Sequence, residues 1–136
     1  IAERIINMRD IVHNLGVALA LSPAVQAATI KGNAIDLLGF ESVMFVINTG
    51  AIASSGNFTI TVEESDTSTD GDFTAAPAAT VIGSTLVNPL TADGSFKVGY
   101  IGSKRFARIV ATKNSGTSIA AGAVAIKGHP LTAPVA

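Results

Sequence analysis

Cysteine and tryptophan are absent from this 136-residue chain, histidine occurs twice and tyrosine once. No disulfide can staple the fold and no thiolate set can hold zinc. The usual nucleophile, proton shuttle and metal ligand are scarce, which argues against an enzyme and against a cofactor. Charge is scarce as well. Asp, Glu, Lys and Arg make up 14 % of the residues, against about 25 % in an average soluble domain, and mean hydropathy is +0.48. Much of the exterior must then be neutral or apolar, the kind of surface that neighbours cover in a permanent assembly. Long apolar runs are missing too: Val17 to Leu21 and Val43 to Ile47 are far short of the roughly 18–20 residues that cross a bilayer, so no membrane contact is expected. The opening IAERIINMRDIV carries Glu3 and Asp10 among its apolar residues and has no basic head before an apolar core, so it reads as no signal peptide. Ile1 is no usual initiator, and a few residues are expected before it.

What is present is alternation. In Asn57 to Glu63, Phe58, Ile60 and Val62 point one way while Thr59, Thr61 and Glu63 point the other, the period of a half-buried strand. Val17, Leu19 and Leu21 alternate with Ala18 and Ala20 until Ser22-Pro23 stops the strand. Short strands are expected on either side of Gly32-Asn33. Glu41 to Thr49 is apolar on both faces, as in a central strand covered on two sides. Thr80 to Val87 supplies another strand or two. Phe96, Val98 and Tyr100 form one face of a strand that Gly102-Ser103 turns into Arg105 to Thr112, a predicted hairpin. Ser118 to Lys127 follows, with Val124 and Ile126 expected on the core side.

Eight or so strands in one domain predict an all-β, two-layer antiparallel sandwich or jelly roll. Residues 13–130 form that sandwich. Residues 1–12, with Ile1, Ile5, Met8 and Val12 at helical spacing, form an amphipathic helix or an arm, and residues 131–136 a tail.

The charges are lopsided. Residues 32–93 hold eight acids and no Lys or Arg, and residues 94–136 hold six bases and no acid. Pairing of the two blocks inside one sandwich is favoured over pairing between subunits. Asp66, Asp70 and Asp72 around Gly71 have the flavour of a calcium loop, but their spacing fails the pattern and a solvated turn is favoured. Adjacent Glu63 and Glu64 face opposite ways and cannot act as one acid/base pair, and nothing singles out Asp36, Glu41 or Asp93 as a second carboxylate. His13, three residues after Asp10, and His129, before Pro130, have no serine or metal partner by motif. Lys104, Arg105 and Arg108 lack the aromatic interleaving and basic balance of a nucleic-acid surface. They are candidate partner-binding residues, together with Ile1, Ile5, Met8 and Val12. GAIASSG and TSIAAGAVA supply no phosphate cradle.

The run VEESDTSTDGDFTAAPAATVIG followed by FKVGYIGSKRFARIVATKNSGTSIAAGAVAIKGHP resembles small proteins encoded among the head genes of tailed bacteriophages and prophages. The likeness covers roughly residues 57–130. It implies a non-enzymatic virion protein of the head decoration or cement type, β-rich and homo-oligomeric, bound to the major capsid protein on the capsid exterior after assembly in the host cytoplasm. A tail or baseplate protein and a glycan-binding sandwich are the alternatives, the latter poorly equipped with Tyr100 as its one Tyr and no Trp.

Overall fold

A computed structural model describes residues 9–83 and 88–135. In chain order its strands are β1 (Gly16–Gln26), β2 (Ile30–Lys31), β3 (Ile35–Asp36), β4 (Phe40–Ala53), β5 (Asn57–Ser65), β6 (Thr74–Ala75), β7 (Val81–Ile82), β8 (Gly94–Tyr100), β9 (Phe106–Ser115) and β10 (Ser118–Pro130). Two antiparallel sheets stack. Sheet I runs β1-β10-β4-β8-β7, and sheet II runs β2-β9-β5-β6 with β3 also on β9. The strands β2 and β3 share one partner, Ile30 opposite Ala111 and Ile35 opposite Ala107, with a register shift of one residue between them, so they are one interrupted strand. Counted that way, and with β7 as an added edge, eight strands among the described residues fall four to a layer in the order of a jelly roll. The all-β sandwich read from alternation is the fold observed. The proposed helix at residues 1–12 falls largely outside the described residues.

The hairpin predicted across Gly102-Ser103 does not form. Strand β8 pairs with β4 and β7 in sheet I, while β9 pairs with β5 in sheet II. The connection is an arch between layers, and a turn signal marks a reversal without saying which of the two it makes. The β4–β5 and β9–β10 connections also arch, and they lie against each other. A Cβ on Gly56 would sit 2.2 Å from the Ser118 carbonyl oxygen, and one on Gly116, at φ +77°, would sit 2.3 Å from that of Ser55. Gly56→Ala is therefore expected to cost about 2 kcal/mol or more, since backbone must move. Gly71→Ala, whose Cβ meets nothing within 4 Å, should leave a urea midpoint unchanged. Equal shifts for the two variants would contradict the stacked arches.

Strand β1 also departs from expectation. It runs on through Ser22-Pro23 to Gln26, with register shifts on both sides of Leu21. Proline is tolerated because β1 is an edge strand, and Gly122 leaves room for it, since a Cβ there would meet the Pro23 ring at 2.9 Å. The shifts let Val17 and Leu19 face outward while Ala20 and Leu21 are both buried. At the same edge the Gly32 amide donates to the Ile109 carbonyl of sheet II (2.7 Å) and the Asn33 amide to the Ala20 carbonyl of sheet I (2.8 Å), stitching the layers.

Phe45, Ile47, Phe58, Ile109, Ile119 and Leu90 fill the space between the sheets. On β10 the core side is Ile119, Ala121, Ala123 and Ala125, and Val124 and Ile126 point away from it. This reverses the predicted parity of that strand. The reason is volume. Ala125 lies beside Phe45 and Ala123 beside Ile47 on β4, which in turn flank Val98 and Phe96 on β8. Bulky neighbours already fill the layer, so β10 contributes small side chains inside and sends its large ones out.

Candidate interaction surface

That parity gives sheet I an unusual outer face. Cross-strand register places Val17, Ile126, Met44, Gly99 and Ile82 in one row, and Leu19, Val124, Val46 and Lys97 in the next. Val17 is 72 % exposed, Leu19 53 %, Val25 69 % and Ile82 55 %, and Met44, Val46, Val124 and Ile126 are half-buried. The strand expected to be covered on both sides, β4, is covered on one: Val43, Phe45 and Ile47 are buried and Met44 and Val46 are not. Beyond these rows the face becomes shallow. Ala120, Gly122, Gly50 and Asn48 floor an open trough of about 640 Å³ walled by Leu19, Pro23 and Val25. Lys97 is the one charged side chain in these rows. An antiparallel sheet normally turns a polar face to water.

Sheet II does so. Arg108, opposite Glu63 in the ladder, donates to Glu63 Oε1 (2.8 Å) and to Asp70 Oδ1 (2.6 Å). Its guanidinium lies 4.2 Å from the centre of the Phe73 ring, and its side chain is only 7 % exposed. Lys31 adds a second cation to Asp70 at 3.3 Å. Arg105 grips Asp36 with two hydrogen bonds of 3.0 and 2.8 Å, which hold the Asp36 carboxyl down at about 2. Lys104 reaches Asp66 at 2.9 Å. The acidic and basic halves of the sequence thus meet within one chain. Of the three basic candidates for partner binding, Arg108 is enclosed in this network, while Lys104 and Arg105 stay partly open to solvent.

Val12 is 78 % exposed and Ile11 63 %, in the turn before β1. Ile1, Ile5 and Met8 lie outside the described residues. Asp70 and Asp66 hold cations of the chain itself and Asp72 accepts from the Thr67 hydroxyl (2.6 Å); among the described residues no His, Cys, Asp and Glu group is placed to hold a metal. Glu63 and Glu64 do face opposite ways, Glu64 taking the Tyr100 hydroxyl at 2.7 Å. His13 pairs with Asp10 at 2.6 Å.

His129 has a serine partner that no sequence motif revealed: Ser42 Oγ lies 2.7 Å from its Nδ1. The two meet because Gly128 is the register partner of Ser42. They are 87 residues apart in the chain, too far for any local pattern. Among the described residues no carboxylate is hydrogen-bonded to that ring.

Tyr100 closes the arch between β8 and β9. It is 2 % exposed, and burial, reinforced by its bond to the Glu64 carboxylate, pushes its hydroxyl up to about 12. The unfolded chain would release that proton near pH 10, so stability is whole below pH 10 and declines as pH rises through 12. The loss is roughly 2–3 kcal/mol. Tyr100→Phe should flatten that alkaline decline in a urea-titration series, and an unchanged slope would count against it.

The sandwich thus has one closed polar face and one open apolar face. No family model and no curated protein matches the chain. Among solved structures, the SPBc2 prophage-derived protein YomS is similar, with a TM-score of 0.51 at 10 % identity over 85 % of this chain and 94 % of that one. PirA gives 0.40 at 15 % identity over 90 % and 100 % of the two chains. A chain of the infectious bursal disease virus Gx strain structure gives 0.43 at 16 % identity over 88 % and 35 %. At such identity the first likeness is one of fold.

Proposed function

We propose that this protein is a non-enzymatic structural component of a tailed-bacteriophage virion, a head decoration or cement protein that binds the major capsid shell from outside. The observation that carries the reading is the open apolar face of sheet I on a domain whose charged groups are largely satisfied among themselves. Contiguous apolar surface of that extent marks a contact that is covered in the working state. Many copies on a repeating lattice convert individually weak contacts into firm binding without any catalytic group. The resemblance of residues 57–130 to phage head proteins supplies the setting, and a fold shared with a prophage-derived protein is compatible with it.

The reading is tested on particles of the phage that encodes the chain. Shells carrying it are expected to withstand heating and osmotic shock that rupture shells stripped of it, with re-addition restoring resistance. Stripped shells that survive equally well would remove the cement role. Density for the chain on the tail in a particle reconstruction would move it there.

A further inference from the structure

We infer that the outer face of sheet I pairs with the same face of a second copy of this chain, about a two-fold axis lying across the strands. This rests on the reading above that the face is covered in the assembled state, and it names what covers it.

Three features point to self-pairing. The first is charge. An isologous contact sets a surface against itself, so any cluster of one sign would repel its own image. The rows described carry one charge, Lys97, at the rim, whereas the outer face of sheet II is built from Glu63, Arg108, Asp70 and Lys31.

The second is shape. The face is bulky at one end, where Val17, Ile126, Met44, Leu19, Val124 and Val46 stand, and at the other it is shallow along β10 and β4, where Ala120, Gly122 and Gly50 floor the trough beside the exposed Val25 of β1. A two-fold across the strands, passing between the Val124 and Gly122 rows, exchanges the ends. It seats Ile126 over the second copy's Ala120, Val124 over its Gly122 and Met44 over its Gly50. The same operation sets Lys97 over the second copy's Ser95 and Val46 over its Asn48, two side chains hydrogen-bonded to each other at 2.6 Å.

The third is area. Four strands about 4.8 Å apart, followed for eight residues at about 3.3 Å each, give a footprint on the order of 400–500 Å² per copy. Both copies together then come to about 800–1,000 Å², at the lower bound for a specific interface. Such a contact is dissociable, suited to subunits that associate fully only when concentrated on a lattice.

Light scattering on the full chain across a concentration series tests the pairing. The mass is expected to rise from one copy to two. Leu19→Lys, at a half-exposed edge position, should hold it at one copy with an unchanged melting temperature, whereas Thr61→Lys on the outer face of sheet II should still reach two. The absence of native cysteine allows a second measurement: a short bismaleimide should link Asn48→Cys chains into dimers and leave Thr61→Cys chains unlinked. A mass of one copy at every concentration, dimers undiminished by Leu19→Lys, or linkage through Thr61→Cys would each overturn the pairing. A chain that stays single yet coats empty shells, and loses that coating with Leu19→Lys, would overturn the self-pairing while leaving the virion reading in place.

Discussion

Phe45→Ala is expected to lower the unfolding free energy by about 3–5 kcal/mol, because it empties the centre of the layer between the sheets. Phe45 is fully buried, next to Ala125 on one side and Val98 on the other. Neither neighbour can reach into the space it leaves, since one is alanine and the other is β-branched with a stiff side chain. For a domain of this size the melting temperature should fall by roughly 10–20 °C. The adjacent residue is the control. Val46 belongs to the same strand with opposite parity, and Val46→Thr, which keeps shape and strand propensity, should cost less than about 1 kcal/mol. Equal losses at 45 and 46 would mean that both faces of β4 are buried within the single chain.

The second large effect is expected at Arg108. Replacing it by alanine removes the cation from between Glu63 and Asp70 and uncovers the Phe73 ring, at a cost of about 2–4 kcal/mol. The damage comes mainly from what remains: Glu63, whose side chain is 23 % exposed, keeps a carboxylate without its counter-ion. Lysine should rescue only in part, because a compact ammonium lacks the planar, spaced donors that reach Glu63 and Asp70 together and the flat face that stacks on the ring. Adding Glu63→Ala to Arg108→Ala should recover part of the loss, a coupling that a double-mutant cycle measures directly. Additive losses would show that Glu63 and Arg108 act independently and that the network is ornamental.

The two variants mark what could and could not be read in the residues. Strand positions were legible because alternation is local: Phe58, Ile60 and Val62 are buried as their spacing requires. Charge pairing was legible as a trend, since eight acids and six bases in separate blocks must meet if the sheet is to close. Which strands pair was not legible. The reversal at Gly102-Ser103 arches between layers because Tyr100 and Phe106 continue in different sheets, and nothing within the turn specifies that.

Parity on β10 misled for a related reason. Ser118 to Lys127 is apolar on both faces, so local periodicity gives no preference. The choice is made by Phe45 and Ile47, some eighty residues earlier, whose bulk leaves room only for alanine. The candidate site was missed by the same step. Val124 and Ile126 are expected on the core side from sequence, and it is their outward direction that joins Val17, Leu19, Met44 and Val46 into one apolar surface. The bulge after Leu19, which lets Leu21 be buried while Val17 and Leu19 face outward, is equally a property of pairing.

The central claim is that this chain works as a repeated building block on a capsid. Mixing the purified chain with empty shells of the phage that encodes it, then counting bound copies by reconstruction of the sedimented particles, tests that most directly. The account predicts saturable binding at a fixed number of copies per capsomer, with density outside the shell wall. Shells that sediment bare at saturating chain concentration would contradict it.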